Sequence, residues 1–468
     1  GPVAVWLTTL TLSGGYLWAE FGNLSRTPLR FGSPTQMLAV PLVMAAAWAL
    51  ILLVRASLPV WGWAWLGLIV IVGAGSKPTV VPTLLAGTLV ALVAVAATTR
   101  RFPRAIAIAA GGLVAVQLWA VVSGPDRETG LTVLGSLRLS SIFRDISGDI
   151  TLRGTNDGLV LDSLATKAGA TAAAVTVIWL LGSQAIRLIG LTALAYPATR
   201  RDPAAWWLAG ALSAGWFAFL AFDLSSGGQL YFFHLALPFG AILTSWMVVA
   251  AVDRFSVGRR IAYLCGGLAV GAAASIAAVS AVSVAIRSEA TGSIDQVLLP
   301  IAVVLSVVGV AAIGWRYLSG RLGLRSGWLA LALAFVIGIS LLTSLGEATS
   351  IVYRWAQPIQ HDLDTDSFEY LSPLEQQAMT WLNENSSSDD IIATNAQCLP
   401  VRKRRICNAI GFWVGGISGR RVLLEGWAYT PEAHALHGVD NTHRNQQPPP
   451  WPDRYELSHA AIEEPTPE

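Results

Sequence analysis

Up to Gly346 the chain is dominated by long apolar runs that contain almost no charged residue. Runs of about 17 to 25 nearly uncharged residues recur there, the length that a helix needs to cross a hydrocarbon layer roughly 30 Å thick. The whole chain is 54% apolar and 13% charged, whereas ordinary soluble domains are about one quarter charged. The net charge of +2 is close to balance, so the composition does not indicate a nucleic-acid-binding protein. The sequence therefore predicts a polytopic helical membrane protein.

These runs predict about eleven membrane spans. The predicted spans are residues 3–18, 37–54, 59–73, 79–97, 105–123, 169–196, 204–222, 229–252, 261–286, 296–315 and 326–345. Many of the 19 tryptophans lie near the ends of these spans, where indole rings favour the membrane interface.

The positively charged loops indicate an orientation. If Arg55 is cytoplasmic, alternation of the spans puts every strongly basic short loop on the cytoplasmic side, as the positive-inside rule expects. Those loops contain Arg55; Arg100, Arg101 and Arg104; Arg200 and Arg201; Arg254, Arg259 and Arg260; and Arg316, Arg321 and Arg325. The opposite side receives residues 19–36, 75–78, 124–168, 223–228 and 287–295, and everything after Leu345.

The region after Leu345 is predicted to be an extracytoplasmic α/β module, residues 346–445. Ser372, Pro373 and Glu375 form the pattern of a capping box, which predicts that a helix begins there. The predicted inward face of this helix consists of Leu374, Ala378, Trp381 and Leu382. Residues 391–395 and 421–424 are predicted to be buried strands. Residues 446–468 are interpreted as a Pro-rich linker or extended tail. The predicted fold class is thus mainly α, a transmembrane domain (1–345) followed by a small α/β module.

Two of the three cysteines, Cys398 and Cys407, close a short loop in this module. In an oxidising extracytoplasmic compartment they are expected to form a disulfide, the alternative being two reduced thiols. Cys265 lies inside a predicted span and is interpreted as a small packing residue.

The longest internal loop outside the predicted spans, residues 124–168, contains candidate catalytic residues. Asp126 and Glu128 follow a span directly and are spaced two apart. Such carboxylates could share a divalent cation, Mg²⁺ or Mn²⁺, or one of them could act as a general base. The alternative is a solvated polar start to the loop. Residues 132–146 are predicted to form an interfacial amphipathic helix, with Arg138 and Arg144 near lipid phosphates, which either guides a lipid-phosphate substrate or anchors the loop.

Two polar positions within the predicted spans are further candidates. His234 lies about one turn inside the outer face, where it could line a substrate-binding cavity beside Tyr231 or be a satisfied interfacial histidine. Arg187 lies within the long segment 169–196 and is interpreted as a residue near the cytoplasmic interface, because a charge at membrane depth costs several kcal/mol unless it is paired.

The order of segments after the last span resembles that of bacterial membrane glycosyltransferases of the C fold class. The resemblance is carried by Leu-Ser-Pro-Leu-Glu-Gln-Gln-Ala-Met-Thr-Trp-Leu-Asn-Glu-Asn (371–385), Asp-Ile-Ile-Ala-Thr-Asn (390–395), Gly-Phe-Trp-Val (411–414) and Ser-Gly-Arg-Arg-Val-Leu-Leu-Glu-Gly-Trp (418–427). It is also similar to oligosaccharyltransferase catalytic subunits, in which a Trp-Trp-Asp-Tyr-Gly segment occupies a comparable place. Trp413 is the candidate substrate contact here, but the segment 410–415 lacks the Asp, so the acceptor-binding role is not carried over.

This resemblance implies a donor and a position for the catalytic carboxylate. Proteins of the class use polyprenyl-phosphate sugars, and a catalytic Asp or Glu lies in the first outer loop. Glu20 is the positional candidate; the chain begins Gly-Pro-Val without Met, as expected for a tag scar or a cut from a longer protein. The implied partners are the lipid bilayer, a polyprenyl-phosphate-linked sugar and an envelope glycan or protein acceptor, with no nucleic acid.

The resulting hypothesis is a lipid-linked-sugar glycosyltransferase of the bacterial plasma membrane, acting on the extracytoplasmic face. The alternative is a non-catalytic membrane transporter, or an envelope-assembly scaffold whose outer module binds a partner.

Overall fold

The computed structural model describes residues 34–123, 129–131, 137, 143, 146, 164–224, 228–253, 255–287, 335, 373–394, 399–401, 406–408, 412–437 and 448–463. The described chain is mainly helical. It divides into two compact units: the helical unit (residues 1–149 and 158–352) and the C-terminal unit (residues 150–157 and 353–468).

The described part of the helical unit contains four long helices, then an interrupted helix, and then three more long helices. Its elements are α1 (Pro34–Val54), α2 (Val60–Ser76), α3 (Val80–Thr99), α4 (Arg104–Ser123), β1 (Thr129–Leu131), α5 (Lys167–Ser183), α6 (Ala185–Leu188), a 3₁₀ helix (Ile189–Ala195), α7 (Pro197–Arg200), α8 (Pro203–Ala221), β2 (Phe222–Leu224), α9 (Gln229–Val252) and α10 (Val257–Arg287).

The C-terminal unit combines short helices with very short strands. Its elements are α11 (Pro373–Asn385), β3 (Ile391–Ile392), β4 (Leu399–Val401), β5 (Ile406–Asn408), α12 (Trp413–Ser418), β6 (Arg421–Val422), a 3₁₀ helix (Trp427–Tyr429), α13 (Pro431–His437) and α14 (Pro452–Glu463). β3 pairs with β6 in parallel, and β4 pairs with β5 antiparallel.

Four helices of the described residues are long and apolar enough to cross a membrane. They are Val80–Thr99, Arg104–Val122, Pro203–Ala221 and Gln229–Val252. Each coincides with a predicted span. Shorter apolar helices, Leu38–Val54, Val60–Ser76 and Lys167–Ile178, fall in three others. The predicted spans 3–18, 296–315 and 326–345 lie outside the described residues, apart from the single position 335.

Apolar side chains cover the outer surface of α2 and α4. Trp61, Trp65 and Leu68 on α2 are exposed, and so are Leu118 and Trp119 on α4. Contiguous exposed apolar patches of this kind are uncommon on monomeric soluble proteins. The pattern is that of helices whose outer faces are solvated by hydrocarbon.

The core of the helical unit is α8, which packs on α3 on one side and α9 on the other. Glycines allow the backbones to come close together, as is common between membrane helices. An added Cβ at Gly210 would lie 2.6 Å from Val90 Cβ, and one at Gly215 would lie 2.3 Å from Ala236 Cβ. Trp207, which is completely buried, donates from Nε1 to Thr88 Oγ1 at 3.1 Å across the same α3–α8 contact.

Polar contacts gather at the two ends of this bundle. At one end Arg55, after α1, binds Asp202, before α8, with Nε–Oδ1 and Nη2–Oδ2 distances of 3.2 and 2.6 Å. Asp202 also caps α8 by accepting from Ala204 N at 2.9 Å. The guanidinium lies 5.5 Å from the ring centroid of Trp246, in the second half of α9. Arg55 and the basic loop at 200–201 therefore share one end, as the alternation of spans predicts.

The predicted span 169–196 is not one helix, which corrects the sequence analysis. α5 ends at Ser183, Gln184 forms a turn, and α6 leads into the 3₁₀ helix Ile189–Ala195. An added Cβ at Gly240 would lie 2.6 Å from Arg187 O, so α9 lies directly against the interrupted segment. Gly240 is near the middle of α9, and the completely buried Arg187 is therefore level with the middle of that helix rather than with its end.

The packing face of α11 also differs from the prediction. Met379 and Val414 are buried together, with Leu382, Ile392 and Val422 packed around them. Leu374, Ala378 and Trp381 instead lie on the exposed side. The partners β3, β6 and α12 meet α11 along Met379 and Leu382, and this contact decides which side faces inward.

The segment interpreted as a Pro-rich linker or tail contains a packed helix. Ser458 of α14 is buried, accepts from Thr394 N at 3.2 Å and donates to Thr394 O at 2.9 Å. Trp451, just before α14, packs on the cluster of Leu424, Trp427, Ala428 and Ala433. Residues 448–463 are thus part of the C-terminal unit.

The close approach at Gly215 predicts a large effect of substitution. In Gly215→Val the new side chain would meet Ala236 Cβ and also the main-chain oxygen of Phe232, 2.8 Å from the added Cβ. We expect the free energy of unfolding in detergent to fall by about 1–3 kcal/mol, the usual cost of overpacking. The matched control is Gly112→Val, because no atom lies within 4 Å of a Cβ added there. Equal stability of the two variants would contradict the proposed α8–α9 contact.

Candidate functional site

The end of the bundle opposite Arg55 carries a half-buried cation. Lys77 follows α2 directly, and its backbone N–H donates to Gly73 O at 3.0 Å. Its Nζ lies 3.6 Å from the ring centroid of Tyr231, in the first turn of α9. A cation over an aromatic face is stabilised by the ring quadrupole while its remaining N–H groups stay able to bind an anion. This contact places a positive charge at the end of the bundle.

A two-stranded sheet forms beside the same turn of α9. β1 and β2 are antiparallel, and Gly130 is opposite Asp223. The ring of Phe222, in β2, lies 6.2 Å from that of Phe232, the neighbour of Tyr231. β1 belongs to the loop after α4, and β2 to the connection between α8 and α9. Two loops that sequence alone assigns only to the same side are therefore hydrogen-bonded to each other.

The β1–β2 pairing holds the segment that directly follows the predicted acidic residues. Asp126 and Glu128 themselves lie outside the described residues, and Thr129, which follows Glu128, pairs with Leu224. The strand that follows them in the sequence, β1, is thus held at the end of the bundle, near the first turn of α9. The roles of Asp126 and Glu128 as general base or metal ligands stay predictions.

His234, predicted beside Tyr231, lies one turn further along α9 and is completely buried. Its ring centroid is 5.8 Å from that of Phe233. Phe233 also meets Trp216 and Phe219 of α8 at centroid distances of 5.1 Å each. His234 therefore belongs to the packed α8–α9 core, whereas Tyr231 is half-buried and in contact with Lys77.

A second polar feature lies deep in the bundle. Arg187 Nη1 donates to Gln184 Oε1, and both side chains are buried, at 0% and 1% exposure. Gly190, in the 3₁₀ helix that follows, approaches α9 so closely that an added Cβ would lie 2.5 Å from Thr244 N. A charge buried at an interrupted helix is a common mark of a functional site in membrane proteins. The sequence did not predict the helix interruption, because the run around it is apolar, although Gln184 and Arg187 are polar residues within that run.

The aromatic segment of the C-terminal unit is organised by a carboxylate. Glu425 accepts from Val414 N and Gly415 N at 2.7 and 2.9 Å, and so binds the first turn of α12. Gly426 has φ +60°, and a Cβ there would lie 2.4 Å from Phe412 Cε1. Trp413 is the first residue of α12. The carboxylate that binds the first turn of α12 thus comes from Glu425, which lies 11 residues after Val414 and 10 after Gly415 in the sequence.

The Gly-Arg-Arg-Val segment at 419–422 has a structural role. Gly419 ends α12 in the left-handed region, at φ +63°. Arg420 Nε donates to Ser386 Oγ at 2.9 Å, while its Nη2 donates to Ser386 O at 2.7 Å and also to Asn383 O. A guanidinium on the last carbonyl groups of a helix satisfies them and complements the helix dipole. Arg420 therefore holds the C-terminal end of α11.

The remaining predicted residues are mostly outside the described part of the chain. These are Glu20, Arg138, Arg144 and Cys398. Cys407 lies in β5, opposite Pro400 of β4, so the predicted disulfide with Cys398 stays a prediction. Among the described residues no three His, Cys, Asp or Glu side chains are grouped closely enough to hold a metal ion.

A double-mutant cycle tests the contact between Lys77 and Tyr231. Lys77→Met, Tyr231→Leu and the double variant should give a coupling of about 0.5–1 kcal/mol in the free energy of unfolding, because each single change removes the same cation–π contact. Lys167→Met, combined with Tyr231→Leu, is the control cycle, since Lys167 is an exposed lysine at the start of α5. Equal coupling in both cycles would show that Lys77 and Tyr231 do not interact.

Comparison with protein-family models, with curated proteins and with solved structures gives no match to this chain.

Proposed function

We propose that this chain is a multi-pass membrane glycosyltransferase that transfers a sugar from a polyprenyl-phosphate donor to an envelope acceptor on the extracytoplasmic face of a bacterial plasma membrane. The observation that carries the proposal is the grouping at one end of the bundle. The strand after Asp126 and Glu128 is paired with the loop before α9, whose first turn holds Tyr231 against Lys77. The proposed transfer needs a cation that binds the donor phosphate and a carboxylate that acts as general base. Lys77 and the carboxylates of Asp126 and Glu128 are residues of these two kinds.

The proposed chemistry is a displacement at the anomeric carbon of the sugar. The bond from the anomeric carbon to the phosphate oxygen breaks, and the polyprenyl phosphate leaves with the bonding electrons. A bond from the acceptor oxygen to the anomeric carbon forms, and the acceptor proton passes to the carboxylate of Asp126 or Glu128. Lys77 stabilises the charge of the leaving phosphate, with Arg138 and Arg144 as further candidates. A divalent cation held by Asp126 and Glu128 would add positive charge there.

Membrane topology supports this assignment of sides. α3 and α9 both begin at the end that carries Lys77, whereas α8 begins at the opposite end, where Asp202 binds Arg55. If the basic end is cytoplasmic, Lys77, β1 and β2 face the extracytoplasmic side.

A transporter is the second candidate, and one observation favours it. The interruption between α5 and the 3₁₀ helix puts buried Gln184 and Arg187 beside the middle of α9. Discontinuous helices at mid-membrane depth are used by secondary transporters to bind substrates. Uptake of an anionic solute by proteoliposomes, lost in Arg187→Gln and retained in Lys77→Gln, would favour transport over sugar transfer.

Sugar transfer is tested with a radiolabelled polyprenyl-phosphate sugar and membrane acceptors. We expect Lys77→Gln to lower kcat/KM for the donor about 10- to 100-fold, the usual effect of removing one charge-assisted hydrogen bond. Lys77→Arg should retain most activity, and Lys167→Gln should behave like the unaltered protein. The double variant Asp126→Ala, Glu128→Ala should be inactive. An equal decrease in kcat/KM for the donor in Lys77→Gln and Lys167→Gln would contradict the role of Lys77.

Sidedness is tested separately with a reporter. Alkaline phosphatase fused behind Trp427 should be active in intact cells, because this enzyme folds in an oxidising compartment. The matched fusion behind Arg55 should be inactive. The reverse pattern would place the C-terminal unit inside the cell and contradict the proposal as stated.

A further inference from the structure

The turn between α3 and α4 contains three arginines and no acidic residue. Its sequence, residues 100–104, is Arg-Arg-Phe-Pro-Arg. α3 begins beside Lys77, so the turn lies at the opposite end of the bundle, where α8 begins and Asp202 binds Arg55. The helices on both sides of the turn are long and apolar enough to cross a membrane. The three guanidinium groups therefore lie at the depth of lipid phosphate groups.

The three arginines of this turn have no carboxylate partner among the described residues. All three are exposed, and none of them forms an ion pair with another described residue. At the same end of the bundle, Arg55 and Arg260 do bind carboxylates, those of Asp202 and Asp253, at 2.6 and 3.0 Å. Like charges in so short a turn repel one another, so an anion bound between them would be stabilised.

Arg100 adopts a backbone conformation that is unfavourable for arginine. It ends α3 in the left-handed region, at φ +53°, where glycine is usual because it has no Cβ. Arg101 N donates to Thr99 Oγ1 at 3.3 Å, and Ala107 N donates to Pro103 O at 3.1 Å, so the turn has hydrogen bonds of its own. Such conformations persist where the side chain has a function, which supports a ligand for this guanidinium.

Exposed apolar side chains lead along both helices to the turn. On α3, Leu89, Val93 and Ala97 are exposed and follow one another at four-residue spacing. On α4, Arg104 and Ile108 are exposed at the same spacing. Residues four apart share one face of a helix, so each helix has an exposed apolar stripe that reaches the arginines. A phospholipid has the same division, with acyl chains beside a phosphate group.

We propose that the α3–α4 turn, together with these two stripes, binds an anionic phospholipid. The arginines contact its phosphate group, and its acyl chains lie along α3 and α4. Phe102, which is 69% exposed between Arg101 and Pro103, enters the interface between headgroups and acyl chains. This site lies at the opposite end of the bundle from Lys77, and the inference does not depend on the proposed sugar transfer.

Depth and charge together select this class of ligand. A soluble phosphate or an acidic peptide would contact the arginines and leave the apolar stripes uncovered. A zwitterionic phospholipid would cover the stripes, but its headgroup has no net charge to balance three arginines. Clusters of basic residues next to a membrane-spanning helix attract anionic lipids. Arg200 and Arg201, at the same end of the bundle, add to the positive potential.

A photoreactive phosphatidylglycerol with a diazirine on one acyl chain tests this site. The full chain is reconstituted in phosphatidylcholine nanodiscs that contain a small fraction of the probe, and mass spectrometry locates the cross-link. We expect labelling of α3 and α4 that unlabelled phosphatidylglycerol displaces and additional phosphatidylcholine does not. High salt should weaken the labelling, because the arginines are exposed and their interactions are screened.

Substitutions in the turn separate lipid binding from folding. Each arginine should contribute about fivefold to the affinity for phosphatidylglycerol. The triple variant Arg100→Gln, Arg101→Gln, Arg104→Gln should therefore lose about tenfold or more, whereas lysine at all three positions should retain most of the affinity. Arg100→Gly should bind the lipid more weakly yet unfold at the same or a higher temperature, because glycine favours the left-handed conformation. Lys167→Gln, which removes an exposed charge at the start of α5, is the matched control.

Several results would overturn the inference. Equal labelling by a photoreactive phosphatidylcholine would show an unselective boundary lipid. Displacement by inorganic phosphate, or by a peptide rich in aspartate and glutamate, as effective as that by phosphatidylglycerol would show a soluble anion or a protein partner instead. Unchanged affinity in Arg100→Gly and in the triple variant would also contradict the site. The assay contains no sugar donor or acceptor, so its outcome is independent of whether the chain is a transferase.

Discussion

At Gly215 the main chain of α8 comes so close to α9 that no side chain fits between them, and the same is true at Gly210 between α8 and α3. The other features of the helical unit depend on these approaches. They bring the start of α9 beside the end of α2, where Tyr231 meets Lys77, and the second half of α9 beside Arg55. Apolar helices in lipid gain little from burying apolar side chains, so close van der Waals packing at small residues decides their arrangement. A larger side chain at either glycine would separate helices whose ends carry the polar contacts.

The polar contacts at the two ends of the bundle bear on the proposed function. Lys77, Tyr231 and the β1–β2 pair lie at one end, while Arg55, Asp202 and Trp246 lie at the other. A lipid-linked substrate presents its headgroup at the surface of a bilayer and its chain within the hydrocarbon. A cation at the end of the bundle, with exposed apolar faces on neighbouring helices such as α2, meets both parts of such a molecule. The end that carries Lys77 is therefore suited to a headgroup with a negative charge.

Much of the helical architecture was predictable because hydrophobic runs report span length directly. The runs at 79–97, 105–123, 204–222 and 229–252 match helices that are long and apolar enough to span. The run at 169–196 was predicted to be a single span, but it is interrupted. Apolar composition does not show where a helix is interrupted, and one polar residue, Gln184, is a weak signal. The predicted inward face of α11 was also wrong in part, because the helix has two stripes of apolar residues. Met379 and Leu382 face inward because they pack against β3, β6 and α12. The contact between Lys77 and Tyr231 could not be predicted, since it joins the end of α2 to the first turn of α9, which are far apart in the sequence.

The burial of Arg187 helps to distinguish the two candidate functions, sugar transfer and transport. Its guanidinium binds Gln184 Oε1 at the level of Gly240, in the middle of α9. Transferring a charge to membrane depth is costly, so such residues persist where protein groups surround them or where function requires them. A transferase whose reaction takes place at the end of the bundle does not need a cation at this depth. Arg187 would then hold the interrupted segment against α9, a structural role that a polar uncharged residue could share. A transporter needs the charge itself at this depth, and this requirement separates the two functions physically.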